Sequence, residues 1–229
     1  MKMVFFLLLA FACSMAAESK VISFSTIFLD SAGKFYFTYP ITMPSQAALL
    51  ELQRNFIKQR FGENSSSKEP AAALSLYKEQ NKEIEILKDQ VSFPLPGIIQ
   101  FITYYYEYSE GNAHGENGSE VGIYALADGK KIELKSLFTK GSEKDITQMI
   151  IKEFLKMQNL QSLSDYSYTQ KESDFAPVSA MVSELGLDFV YPTYKLAPHS
   201  AGEQMIFLSW SSLKPYLNKQ SVIYQKLKF

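Results

Sequence analysis

Apolar positions along this chain change their spacing several times, and each change marks an element. Val21 to Leu29 and Lys34 to Tyr39 are rich in Phe, Ile and Tyr, with Ser31-Ala32-Gly33 supplying turn chemistry between them. That pattern predicts a hairpin. Pro44 and Ser45 then precede Leu49, Leu52 and Phe56 at helical spacing, flanked by Leu50, Ile57 and Phe61, with Gly62 as the stop. This helix is expected to cover a sheet. Residues 63 to 70 are polar and predict a loop, and Ala71 to Lys82 predicts a second helix.

From Ile84 the period shifts towards two. Strands are expected near 84–93 and 98–108, separated by Pro94-Leu95-Pro96-Gly97, with Tyr104, Tyr105, Tyr106 and Tyr108 distributed over both faces of the second. Val121 to Leu134, turning at Asp128-Gly129, predicts another hairpin. Ser142 with Asp145 resembles a capping box opening a helix through Ile146, Met149, Ile150 and Phe154. Residues 160–177 are polar and rich in Ser and Tyr, and strand-like runs follow at 178–184, 187–191 and 203–210. No repeat and no linker interrupts them, so one mixed domain over residues 18–229 is expected.

Composition narrows the function classes. With 46% hydrophobic residues the chain has enough apolar surface for a packed core, which argues against disorder. Lys and Arg number 23 against 24 Asp and Glu, so no strong field attracts phosphate backbones, and nucleic acid is not an expected partner. Lys2 followed by the apolar run Met3 to Ala12 has the length of a signal-peptide core, shorter than a membrane span. Residues 1–17 are therefore read as a secretion leader, and the body as extracytoplasmic. Two cleavage readings stand. Ser14-Met15-Ala16 suits an ordinary signal peptidase, while Ala10-Phe11-Ala12-Cys13 resembles a lipobox and makes Cys13 a candidate lipidation site. On the second reading a lipid at Cys13 is the only membrane contact, as in a periplasmic or outer-membrane lipoprotein. Cys13 is the sole cysteine, so the mature chain contains no disulfide and must rely on hydrophobic burial.

The order of several short motifs carries a family resemblance. Tyr108 is followed by Gly111-Asn112-Ala113-His114-Gly115, then by Asp128-Gly129-Lys130-Lys131, Leu134 and Leu137-Phe138. Downstream come Gly186-Leu187-Asp188-Phe189, Tyr191-Pro192-Thr193-Tyr194, Ala197-Pro198-His199-Ser200-Ala201-Gly202, a strand ending at Trp210, and Leu213 and Leu217 of a short helix. This order resembles the RsiV-like extracytoplasmic domain family over residues 20 to 217, including a Tyr39-Pro40 strand end followed by a helix. The resemblance implies an α+β fold, an antiparallel β-sheet with helices packed on one side. It also implies a binding role, because one member is the sensing domain of a lysozyme-recognising anti-sigma factor and related domains precede peptidoglycan deacetylases. Sigma-factor control and deacetylation are not expected here, since the sequence shows neither a membrane-length apolar run in the mature chain nor room for a deacetylase domain. Asn112 stands where the family commonly has a second glycine.

Candidate chemistry concentrates in two loops. Gly111 and Gly115 bracket a tight turn, and Gly202 closes the second loop, where glycine permits positive φ or close backbone approach. His114 and His199 are the only histidines. If the loops meet, the pair forms a binding or metal site, although a histidine in a turn more often serves backbone groups. Glu107, Glu110, Glu116 and Glu120 miss the spacing of an EF-hand loop and read as a solvated acidic face. There is no Gly-x-Ser-x-Gly elbow and no phosphate-cradling glycine loop, and Ser211-x-x-Lys214 lacks the partner motifs of penicillin-binding enzymes. Asn64-Ser65-Ser66 and Asn117-Gly118-Ser119 are sequons that matter only in a glycosylating host. Asn112, Tyr191 and Tyr194 are candidate binding residues, although core packing is the commoner role for aromatic residues such as Tyr191, Tyr194 and Trp210. The expectation is a non-enzymatic, cofactor-free module for a protein or peptidoglycan-derived ligand. The alternative is a metal-dependent envelope hydrolase using His114 and His199.

Overall fold

A computed structural model describes residues 22–29, 33–43, 45–63 and 69–227. The expected leader with Cys13, the residues Ser31, Ala32 and Pro44, and the sequon at Asn64 lie outside the described residues. Strands β1 (Ser23–Phe28) and β2 (Tyr36–Thr42) form the first antiparallel hairpin. Helix α1 (Gln46–Phe61) follows, capped by Ser45, whose hydroxyl accepts from Ala48 N, and ended by Gly62 at φ 82°. Helix α2 (Pro70–Gln80) begins on Pro70, which has no N–H to leave unsatisfied.

Strands β3 (Ile84–Ser92), β4 (Ile98–Glu107) and β5 (Glu116–Ala125) make a central antiparallel sheet with β4 in the middle. Helix α3 (Glu143–Met157) precedes a third sheet, β6 (Ala180–Val182), β7 (Gly186–Tyr191) and β8 (Gln204–Ser209), in that order. A short helix α4 (Trp210–Leu213) follows directly. The α+β class is borne out, with the strands divided among three antiparallel sheets instead of one. Among the described residues, no helix is long and apolar enough to cross a membrane.

The division has a cause visible along β4. Ile99 and Phe101 join Phe37, Leu52, Phe56, Leu74 and Tyr124 in one core, beneath α1, α2 and the first hairpin. Ile98, paired across to Ala125 on β5, joins a second core with Ile146, Ile150, Phe154, Leu187, Phe189 and Ile206. Both faces of the central sheet are therefore covered, one by α1 and α2 and the other by the third sheet and α3. The helices belong to different cores instead of sharing one side.

Two expectations about local structure change. Asp128-Gly129 does turn the chain, but the returning arm makes one isolated bridge, Tyr124 to Lys131, and no strand. Ile132, Leu137 and Phe138 are drawn into the second core, and a 3-10 turn at Leu134–Leu137 replaces the extended arm. Ser142 precedes α3, yet its hydroxyl donates to Thr139 O at 2.7 Å and caps no helical N–H, so the capping box is not formed. A capping box appears instead at Ser162 with Asp165.

Two polar clusters tie the layers together. Buried Gln100 on β4 accepts from Val182 N at 2.7 Å and donates to Val182 O at 3.4 Å, joining the central and third sheets through a side-chain amide. Asp89 on β3 accepts from Thr38 N at 2.8 Å, from Thr103 Oγ1, and from Arg60 Nη2 at 3.3 Å. Arg60, from the last turn of α1, also donates to Glu120 on β5 at 2.7 Å. The Arg60 and Asp89 side chains are 4% and 0% exposed.

Candidate functional site

The β4–β5 loop, residues 108–115, and the β7–β8 loop, residues 192–203, lie side by side at one end of the molecule. The first is shaped by the Tyr108 hydroxyl, which donates to Asn112 O at 3.2 Å, and by Gly111 at φ 94°. Gly115 sits under the Tyr106 ring, where a Cβ would lie 2.3 Å from ring carbon, so this glycine serves close approach. The second loop is pinned by buried Leu196 and Ala197 and closes at Gly202, φ 66°. Tyr166 donates to Leu196 O and Tyr168 to Tyr194 O, each at 2.9 Å, and Thr193 Oγ1 reaches across to Asn117 O at 3.2 Å.

The loops meet through their histidines. The rings of His114 and His199 stack with centroids 3.7 Å apart and planes 21° from parallel. His199 Nε2 lies 2.9 Å from Gly115 O and His114 Nδ1 lies 3.3 Å from the same oxygen. A carbonyl only accepts, so these contacts place hydrogens on both nitrogens, and His114 Nε2 lies 3.2 Å from the Tyr194 hydroxyl, whose proton it accepts when His114 carries its hydrogen on Nδ1 alone. Tyr194 itself is 44% exposed and holds φ 68°, an uncommon conformation for an aromatic residue. Its carbonyl bond from Tyr168 and its hydroxyl bond to His114 hold it there.

This arrangement is poorly suited to chelation. Ring lone pairs lie in the ring planes, and stacked planes do not aim two of them at one ion. His199 Nε2 is already committed to Gly115 O, and among the described residues no group of three His, Cys, Asp or Glu is placed to hold a metal. Exposed Asn112 sits at the tip of the first loop beside His114.

Tyr191 requires a correction as a binding candidate. It is fully buried in the second core, and its hydroxyl donates to Phe175 O at 2.6 Å. Burial pushes its phenol well above the ordinary range. Its place in the chain explains the difference from Tyr194: Tyr191 lies on β7 with Leu187 and Phe189 in the second core, whereas Tyr194 lies beyond the strand end, in the turn of the β7–β8 loop. Tyr191→Phe is expected to lower stability by about 1–2 kcal/mol by stranding the Phe175 carbonyl. Thermal melts check this, and ligand contacts at Tyr194 should be unaffected. Trp210 is likewise core, with its indole N–H donating to Ser183 O at 3.0 Å.

Comparison with known proteins now gives the chain its relatives. Residues 135–211 match the model of a family of proteins of unknown function, DUF3298. The DUF3298 match takes in α3, the third sheet, Tyr194 and His199, and stops short of His114. A DUF3298 family member from Bacteroides fragilis NCTC 9343 has a similar crystal structure, with a TM-score of 0.75 at 19% identity over 91% of this chain and 98% of that one. A DUF3298 family protein from Pseudomonas aeruginosa PAO1 superposes with a TM-score of 0.55 at 16% identity, covering 87% and 93%. These likenesses establish the fold across nearly the whole chain. No curated protein matches the sequence significantly.

Sequence reasoning missed a second feature beside these loops. Glu203, the residue after Gly202, turns inward and accepts from Ser119 N at 3.1 Å and from Ser119 Oγ at 2.9 Å. Burial raises its carboxyl above the ordinary carboxylate range, with the two Ser119 bonds opposing the shift. No motif announces this contact, because its partners are 84 residues apart.

Proposed function

We propose that the chain is a non-enzymatic binding module of the bacterial cell envelope, recognising a protein of the lysozyme type or a cell-wall ligand through the face built by residues 111–115 and 192–202. The observation that carries this reading is the stacking of His114 on His199 with exposed Tyr194 bonded to the pair. Loops that merely connect strands have no need to meet, and rigid scaffolds display binding residues on loops fixed in this way. An aromatic side chain held half-exposed loses little freedom on contact, which favours its use as an anchor. The motif order described above, which resembles that of RsiV-like domains, supports the envelope location and the choice of ligands. The stacked rings do not favour the metal-dependent hydrolase.

The test is direct binding of the purified protein to lysozyme and to soluble peptidoglycan fragments, measured calorimetrically. Binding to one of them is expected, with Tyr194→Ala weakening it by about tenfold or more and His199→Ala by a similar factor through loss of the stacked support. Absence of binding to both ligands, or full affinity in the Tyr194 variant, sinks the reading.

A further inference from the structure

A groove of about 400 Å³ crosses the seam between the central and third sheets, just behind the loop pair. Tyr105, Ser119, Glu120 and Glu203 line it on the polar side, and Val178 and Pro192 on the apolar side. We propose that this groove receives a lysine or arginine side chain of a protein partner. The inference rests on the protein-binding form of the reading above and names the chemistry the partner must present.

Charge complementarity carries the argument. Glu203 is half-buried with its carboxylate oxygens accepting only from Ser119, and among the described residues no ion pair includes it. Glu120 has a cation in Arg60, but Arg60 also serves Asp89, so one guanidinium faces two carboxylates. Glu203, Glu120, Glu107 and Glu116 all add to the burial that raises the Tyr105 hydroxyl. Glu203 thus keeps a half-buried carboxylate with no ion pair among the described residues, beside the exposed carboxylate of Glu120, and a cation arriving from outside would offset the cost of that burial.

The shape selects among cations. A long aliphatic stem ending in a charge lies along Val121, Val178 and Pro192 with its head at the carboxylates. An amino sugar would set hydroxyls against the same apolar wall and leave them unpaired. A bare metal ion needs converging ligands that the two carboxylates, held apart on β5 and the β7–β8 loop, do not complete.

The experiment titrates the purified protein with acetyl-Gly-Arg-Gly-amide, its lysine counterpart, the citrulline counterpart and a glucosamine dimer, following backbone amide resonances. Saturable shifts at Ser119 and Val190 are expected with both cationic peptides, weakening as salt is raised, and not with citrulline, a neutral isostere of arginine. Glu203→Gln keeps an oxygen for Ser119 while removing the charge, so it should weaken the arginine peptide about tenfold without lowering the melting temperature. Val178→Trp, at an exposed position over the groove, should block binding in a protein whose fold is intact and decides the matter if the glutamine variant folds poorly. Equal binding of the citrulline peptide, binding of the glucosamine dimer alone, or unchanged affinity in Glu203→Gln overturns the proposal. Lysozyme binding that survives without any response to the cationic peptides removes the groove and leaves the loop face standing. Peptide binding without lysozyme or peptidoglycan binding does the reverse.

Discussion

Arg60→Met is expected to cost about 3–5 kcal/mol of folding stability, because it strands the Asp89 carboxylate in the interior with only two hydrogen-bond donors. Chemical denaturation measures the loss, and Arg60→Met combined with Asp89→Asn should recover most of it, since the neutral amide needs no counter-charge. The loss should also depend on pH. Burial raises the Asp89 carboxyl above its ordinary range even though Arg60, Thr103 and Thr38 all favour the anion. The folded state then holds this proton more tightly than the unfolded chain does. Asp89's contribution is therefore fullest at pH below the unfolded carboxylate value and is lost as pH rises through the folded one. Without Arg60 the upward shift grows, so the variant should lose more at pH 8 than at pH 4. A loss of the same size at both values would show that Asp89 is not the stranded group.

Gly129→Ala is expected to destabilise by about 2–5 kcal/mol, combining a left-handed backbone cost with overpacking against helix α1. Gly129 has φ 73°, and a Cβ there would lie 2.2 Å from Ala48 O and 2.6 Å from Leu52 N. Neither is the end of a flexible side chain, so the helix itself would have to move. Urea unfolding checks the magnitude. A cost no larger than that of alanine at Gly111, which also has positive φ but open space around it, would show that the approach to α1 is unimportant.

Gly129 also shows how far the sequence was legible. Asp128-Gly129 was readable as a turn from its chemistry, but the hairpin it implied required a strand on the far side. That strand gives way because Leu137 and Phe138 are needed in a core that local pattern does not reveal. The α1 helix was readable because Leu49, Leu52 and Phe56 repeat at 3.6 residues and one buried face explains them all. The period of two and the break at Pro94-Leu95-Pro96-Gly97 identified the strand near 98–108, yet that pattern does not say that two separate cores claim its opposite faces. The sequence pointed to His114 and His199, as the only two histidines and both in glycine-containing loops, but left open whether they meet, because the loops are far apart along the chain and only the fold stacks them. Gln59, Ser119, Glu120 and Glu203 had no such marker. Each looks like an ordinary surface polar residue until the sheets bring them to one groove.

Gln100 gives the seam a discrete setting. Its amide imitates a peptide group, offering one donor and one acceptor to the same residue of the neighbouring strand. A slip of one residue along that strand would forfeit both bonds and present the amide with a side chain facing the opposite way. Sliding of the two sheets past each other by a residue is therefore penalised by the loss of both bonds at once, which favours one register of the seam over its neighbours.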